Sequence, residues 1–204
     1  MDTILAISSS PRRKGNSELL LESFGQGIEK EGGKMVQLRV NDLKITPCQA
    51  CDGCASTGKC IVQDDMQEIY PQVASAKGMV LATPIYFGGM SSQLKKFIDR
   101  FQCWWHAKYN LNNPQVTLEE KRPGYFLCVG ALQKKAYCEN ALSVVKVFFH
   151  NVNYVYSDYL CYRGVDEKGV IKDHSHALQD AFEAGRYFAL QSSPDTRDKK
   201  NSDS

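Results

Sequence analysis

Apolar residues along this chain come in short bursts, and stretches of helical period separate the bursts from one end to the other. The first burst, Thr3–Ser8 (TILAIS), is a continuous apolar run closed by small polar residues, the pattern of a strand buried on both faces. From Ser17 to about Lys30 the period changes. Leu20, Leu21, Phe24 and Ile28 recur at helical spacing, and Ser17 stands where a cap belongs. MVQLRV (35–40) predicts a second strand and DDMQEIYPQVASA (64–76) a second helix. Gly78–Thr83 (GMVLAT) is the third strand. The helix SSQLKKFIDRFQ (91–102) then carries Leu94, Phe97, Ile98 and Phe101 on one face. After a polar insertion at about Tyr109–Pro123 come GYFLCVG (124–130) as strand and AYCENALSVVKVFFH (136–150) as helix. NYVYSDYLCY (153–162) is the fifth strand and ALQDAFEAGRYFALQ (177–191) the last helix. The closing SSPDTRDKKNSDS is polar and reads as a frayed tail.

Strands alternating with helices predict an α/β fold: a doubly wound, five-stranded parallel sheet, its crossovers right-handed. No repeat or linker divides the chain, so the expectation is one domain over residues 1–191 and a flexible polar tail over 192–204. Such sheets bind ligands beyond the carboxyl ends of their strands, where strand order reverses. The loops after strands one, three and four are therefore the candidates for chemistry.

Composition narrows the function classes. At 204 residues and 43% hydrophobic, the chain can bury a core without staples. Net charge is +2, and the basic runs RRK (12–14) and KK (134–135) are too short for a nucleic-acid surface, so no nucleic-acid partner is expected. The N-terminal apolar run is too short for a signal segment or membrane span, which predicts a cytoplasmic protein with no membrane partner. In that compartment, structural disulfides are not expected and clustered cysteines point to metal or redox chemistry.

The loop after the first strand, SSSPRRKGNS (8–17), combines hydroxyls with Pro11, Arg12, Gly15, Asn16 and Ser17 at a helix start. Backbone N–H groups there, beside hydroxyls and a guanidinium, form an anion site. Neither a G-x-G-x-x-G nor a G-x-x-x-x-G-K-[ST] pattern occurs in it, so a single terminal phosphate suits it better than a pyrophosphate. After the third strand, TPIYFGGMSSQLKKFIDR (83–100) supplies aromatic faces at Tyr86 and Phe87 and close backbone approach at Gly88 and Gly89, as a flat ring would need.

Between the second strand and second helix, PCQACDGCASTGKC (47–60) holds Cys48, Cys51, Cys54 and Cys60, half of the eight cysteines. The C-x2-C-x2-C run has the local spacing of ferredoxin-type cluster ligation. Gly58 lets the chain turn back to bring in Cys60. Thiolates also select zinc, but structural zinc knuckles are usually separated by a longer gap than this segment offers, so zinc stands second. The second strand lies beside the first in a 2-1-3-4-5 order, which puts the cysteine-rich loop 47–61 on the ligand edge.

These three segments, ISSSPRRKGNS, PCQACDGCASTGKCIVQDDM and TPIYFGGMSSQLKKFIDR, resemble the flavodoxin-like NADPH-dependent FMN reductase superfamily, and within it the iron–sulfur flavoproteins. The resemblance implies a flavodoxin-like sheet and an FMN-dependent oxidoreductase with NAD(P)H as cosubstrate. By it, the loop of Ser10, Pro11, Arg12, Asn16 and Ser17 would hold the FMN phosphate. Pro84, Ile85, Tyr86, Phe87 and Gly88 would line the ring. Ser9 departs from the family, which usually has glycine there. A [4Fe–4S] cluster would fall to Cys48, Cys51, Cys54 and Cys60. No acid–base residue is implied. Two other readings stay open: a flavodoxin-like electron carrier without turnover, and a zinc-stabilised binding module.

The remaining residues carry plainer expectations. Cys128 and Cys161 fall in strands and read as small hydrophobes, and Cys103 and Cys138 fall on helices with no base or metal in sequence reach. His174 and His176 read as surface or capping residues. The aromatic stretch FQCWWHAKYNL (101–111), with His106 inside it, exceeds what a monomer's surface needs and predicts a homodimer or homotetramer. Relatives that assemble this way agree. The other partners expected are a small-molecule or protein electron donor and acceptor.

Overall fold

The computed structural model describes residues 3–192. Its strands are β1 (Thr3–Ser8), β2 (Lys34–Arg39), β3 (Gly78–Tyr86), β4 (Gly89–Met90), β5 (Pro123–Gly130) and β6 (Val155–Arg163). The five long strands run parallel in the order β2-β1-β3-β5-β6, the expected doubly wound order. β4 is the addition. It pairs antiparallel with the end of β3 and shifts the later numbering.

Around the sheet lie α1 (Asn16–Lys30), α2 (Met66–Ser75), α3 (Ser92–Asp99), α4 (Gln102–Trp105), α5 (Lys135–Asn151) and α6 (Ala177–Ser192). Ser192, assigned to the tail by sequence, closes α6; the rest of the expected tail lies outside the described residues.

The continuous apolar runs of the strands have their cause in this layering. Side chains alternate across the sheet, so Ile4 and Ala6 face α1 and α6 with Leu20, Phe24 and Phe188. Leu5 and Ile7 face the other layer with Val73, Phe97 and Phe149. Each of the large side chains among these is essentially closed to water, a burial that stabilises by roughly 1.5–3 kcal/mol apiece. On the first face, α1 and α6 touch backbone to backbone. A Cβ at Gly185 would lie 2.0 Å from the Phe24 carbonyl oxygen, so only glycine fits there.

Three local expectations are corrected. Ser17 does not cap α1. The helix begins at Asn16, its N-cap is Gly15 without any side-chain cap, and Ser17 is buried in the first turn. The third predicted helix is not continuous to residue 102: α3 ends at Asp99, and the chain re-forms as α4 and a π-turn over His106–Asn110. The aromatic stretch is not all surface, because Trp104 is buried against Phe101 and Tyr70, while Trp105 stays about half-exposed.

Candidate functional site

The carboxyl ends of the strands open into a cleft. Its walls are Ser10, Arg12, Gly15, Asn16 and Ser17 after β1, Pro84, Ile85 and Tyr86 at the end of β3, Val129–Ala131 at the end of β5, and Val165, Asp166 and Lys168 after β6. The sequence-predicted phosphate and ring residues therefore meet in one place, with three exceptions. Pro11 lies outside the cleft, and Phe87 and Gly88 line a second cavity that shares Ile85, Gly130 and Ala131 with the first.

At the β1 end, the N-cap of α1 carries no side-chain bond, and the buried first-turn acid Glu18 accepts from Lys14 N–H and pairs with Arg39. The loop above it is pre-shaped: the Ser10 hydroxyl accepts from Arg12 N–H at 3.2 Å, and a Cβ on Gly15 would meet the Arg12 carbonyl oxygen at 3.0 Å. Arg12 is exposed and reaches only the Asp166 carbonyl, at 3.5 Å. Asn16 is differently used. Its amide donates to the Glu167 carbonyl at 2.8 Å, and its Oδ1 accepts from the N–H of Gly169 and Ile171, so it fixes the far wall of the cleft. Ser9 is no empty substitute for glycine. Its hydroxyl joins Ser91 and Thr83 in a buried network that ties β1 to β3 and to the cap of α3.

At the ring end, Tyr86 pairs with Gly89, leaving Phe87 and Gly88 as a two-residue hairpin turn, both with positive φ (48° and 78°). That is the backbone signature of a type I′ turn, which favours Asn or Gly, so an aromatic residue there is strained. Phe87 is also fully exposed. A strained, exposed aromatic over the adjoining cavity offers its face to a ligand rather than to the core. The uncapped helix, the hydroxyls, the guanidinium and this aromatic fit a phosphorylated flat ring such as FMN.

A separate pocket is lined by Cys48, Cys51, Cys54 and Cys60 together with Arg100, Cys103 and His106. Left-handed Ala50 and Asp52 bracket Cys51, and the loop wraps the pocket with Cys48 to Asp52 and Cys54. Gly58, with φ +69°, packs against Ala107, where a Cβ would approach within 2.8 Å. Among the described residues, no three of the four loop sulfurs lie within 4.8 Å of one another. A tetrahedral zinc with Zn–S near 2.3 Å needs sulfurs about 3.8 Å apart. In a cubane each thiolate binds its own iron, and four soft thiolates in one pocket are ligands that either group takes.

Arg100 escaped the sequence reading. It is 2% exposed, pairs with Asp64, donates to the Thr46 carbonyl at 2.8 Å and reaches Cys60 Sγ at 3.4 Å, while its Nε has no partner. Burial works against the Asp64 charge, but Arg100 and the N–H groups of Thr46 and Met66 outweigh it and hold the carboxyl below the usual carboxylate range. Arg100 and Asp64 thus clamp the neck of the cysteine loop. The one sequence signal was QDDM (63–66), two adjacent carboxylates just beyond Cys60.

Two cysteine expectations are overturned. Cys138 and Cys161, read as unpaired residues, form a disulfide, because β6 lies under the start of α5. Cys103, read as having nothing nearby, lines the cysteine pocket, its thiol pushed up to about 11 chiefly by burial. The His106 ring lies against Trp105, and the His174 ring packs edge-on against Tyr162.

A parallel sheet in flavodoxin order, with an anion-binding first loop and an aromatic third loop, defines a flavodoxin-like redox fold. The profile of the NADPH-dependent FMN reductase family matches residues 3–159, and the chain belongs to that family. An iron–sulfur flavoprotein of Archaeoglobus fulgidus is 41% identical over 113 residues, 55% of this chain and 57% of that one. Another from Methanocaldococcus jannaschii is 30% identical across 72% of this chain and 70% of its own length. The chain spans about half the length of most of the curated relatives it matches. In structure, an NAD(P)H:quinone oxidoreductase from Methanothermobacter marburgensis shares the fold, with a TM-score of 0.70 at 16% identity over 90% of this chain and 94% of that one. Among the described residues, no helix is long and apolar enough to cross a membrane.

Proposed function

We propose that this protein is an FMN-dependent oxidoreductase that draws electrons from NAD(P)H or a reduced carrier and passes them to an acceptor. The observation that carries the reading is the single cleft joining an uncapped helix N-terminus to the β3 end. Ser10, Arg12 and Ser17 hold the phosphate, Asn16 fixes the loop opposite, and Pro84, Ile85, Tyr86, Phe87 and Gly88 flank the ring. When bound, FMN supplies the hydride and single-electron chemistry, and the protein supplies position and charge. No side chain is assigned an acid–base role. Cys48, Cys51, Cys54 and Cys60 hold a [4Fe–4S] cluster, with Arg100 as a fixed positive charge beside Cys60.

The wider reading follows from the same surfaces. The sheet and its helices act as one FMN-binding domain in the cytoplasm. Exposed Trp105, Tyr109 and Leu111 form a patch that pairs two copies or more. Sedimentation of dilute, FMN-loaded protein should show a dimer or larger; a monomer removes that part.

Purified protein should be yellow and release FMN on denaturation. A colourless protein that cannot be reconstituted with FMN sinks the proposal. Arg12→Ala should weaken FMN binding by on the order of 1.5–3 kcal/mol, the worth of one charge-assisted hydrogen bond. An unchanged affinity in titration would move the phosphate elsewhere. Steady NAD(P)H oxidation by the isolated protein separates an enzyme from an electron carrier.

A further inference from the structure

We propose that Cys138 and Cys161 are a dithiol–disulfide redox centre that exchanges two electrons with a flavin in the adjoining cleft. It rests on the FMN reading above. Three sulfurs converge from three elements: Cys128 on β5 is in register with Cys161 on β6, and Cys138 of α5 covers both. All three sulfurs lie within 4.8 Å of one another, and Cys138 and Cys161 are joined.

The location is what a redox centre needs. Cys138 lines the second cavity, together with Ile85, Phe87, Gly88 and Gly130, and that cavity shares Ile85 and Gly130 with the cleft itself. Cys138, only 2% exposed, is thus the buried wall of a cavity that the aromatic hairpin also lines. Cys138 also sits in the first turn of a 17-residue helix, where the dipole favours a thiolate, so it is the better leaving sulfur when the bond is cleaved.

A structural staple explains less. The cross-link spans 23 residues in a layer already filled by Val145, Phe148 and Phe149. A metal explains less too. Cys128 is fully buried, its thiol pushed up to about 12 by burial alone, with no cation to favour a thiolate. Among the described residues, no His, Asp or Glu completes that trio.

The step balances with the flavin as reductant. Reduced flavin gives two electrons, two protons are taken up, the S–S bond breaks to two thiols, and oxidised flavin remains.

The test uses the full chain with FMN bound, held anaerobically after air oxidation, with each cysteine followed by alkylation and peptide mass. Before reduction, the Cys138 and Cys161 peptides should be linked. After NADPH, both should be alkylated. In FMN-free protein, NADPH should leave the link intact and dithiothreitol should open it. Cys161→Ser should keep FMN yet consume one NADPH fewer per chain before the flavin bleaches.

A link that dithiothreitol opens but NADPH with bound FMN does not would overturn the proposal while leaving the FMN reading standing. So would unlinked cysteines after oxidation, or zinc or copper found on the trio. Failure to take up FMN on reconstitution, read from absorbance, overturns both.

Discussion

Arg100 shows at the scale of one residue how charge, not apolar period, shapes the cysteine pocket. It lies next to the stripe of Leu94, Phe97, Ile98 and Phe101, and nothing in that spacing marks it as buried. Burying a guanidinium is tolerated only with a carboxylate partner and further acceptors, which Asp64 and the carbonyls of Thr46 and Val62 provide. Arg100→Met would leave Asp64 charged, half of a broken pair in low dielectric. The expected loss is on the order of 3–5 kcal/mol, read as a fall in the denaturation midpoint of metal-free protein. Removing both charges, with Arg100→Met and Asp64→Leu together, should restore much of it. Simple addition of the two single losses would mean the pair is not coupled. That Ser10, Arg12, Asn16 and Ser17 line the cleft was legible because the turn from β1 into α1 falls at the carboxyl edge of the sheet. Arg100 was not, because its partner lies 36 residues away and is joined to it only by the fold.

Among the elements, the cysteine loop is held at its neck rather than along its length. Asp64 accepts from Thr46 N–H at 2.8 Å, Asp65 accepts from Lys44 N–H at 2.7 Å, and both carboxylates sit just ahead of α2. Spacing alone revealed the cysteine triplet and the turn at Gly58, since each depends on near neighbours. The Phe87–Gly88 hairpin was hidden for the opposite reason: PIYFGGM carries no Asn-Gly or Asp-Gly signal, and a strained Phe87 breaks the turn preference. The neck has a pH signature. The Asp64 carboxyl is depressed in the folded protein, so its stabilisation is fully present above its unfolded value of about 4 and is lost as pH falls through the lower folded value. In metal-free protein, amide exchange across residues 44–64 should therefore rise selectively below about pH 4, while the amides of β1 and β3 stay protected. Uniform loss of protection across both would show that the neck has no separate acid lability.

Over the whole molecule, the sheet order and two helical layers were legible because every long strand must present apolar residues to both faces. Two distant residues meeting, as Cys138 and Cys161 do, leave no trace in either local pattern, and they are brought together by α5 lying over β6. The two candidate cofactor sites are built from different segments of the chain. The cleft is built from the loops after β1, β3, β5 and β6, whereas the cysteine pocket draws on the loop after β2 and on the chain from Arg100 to His106. They share no lining residue, so one can be emptied without disturbing the other. Cys51, exposed and held by left-handed neighbours on both sides, packs against no core residue, so its removal should cost little stability. Cys51→Ala, reconstituted anaerobically with iron and sulfide, should lose the iron that the parent chain retains, about four per chain for a cubane. Its FMN content and FMN affinity should match the parent's, because the phosphate and ring contacts all lie in other loops. Iron retained by Cys51→Ala would place the ligands elsewhere. FMN lost together with iron would show that the two pockets depend on each other.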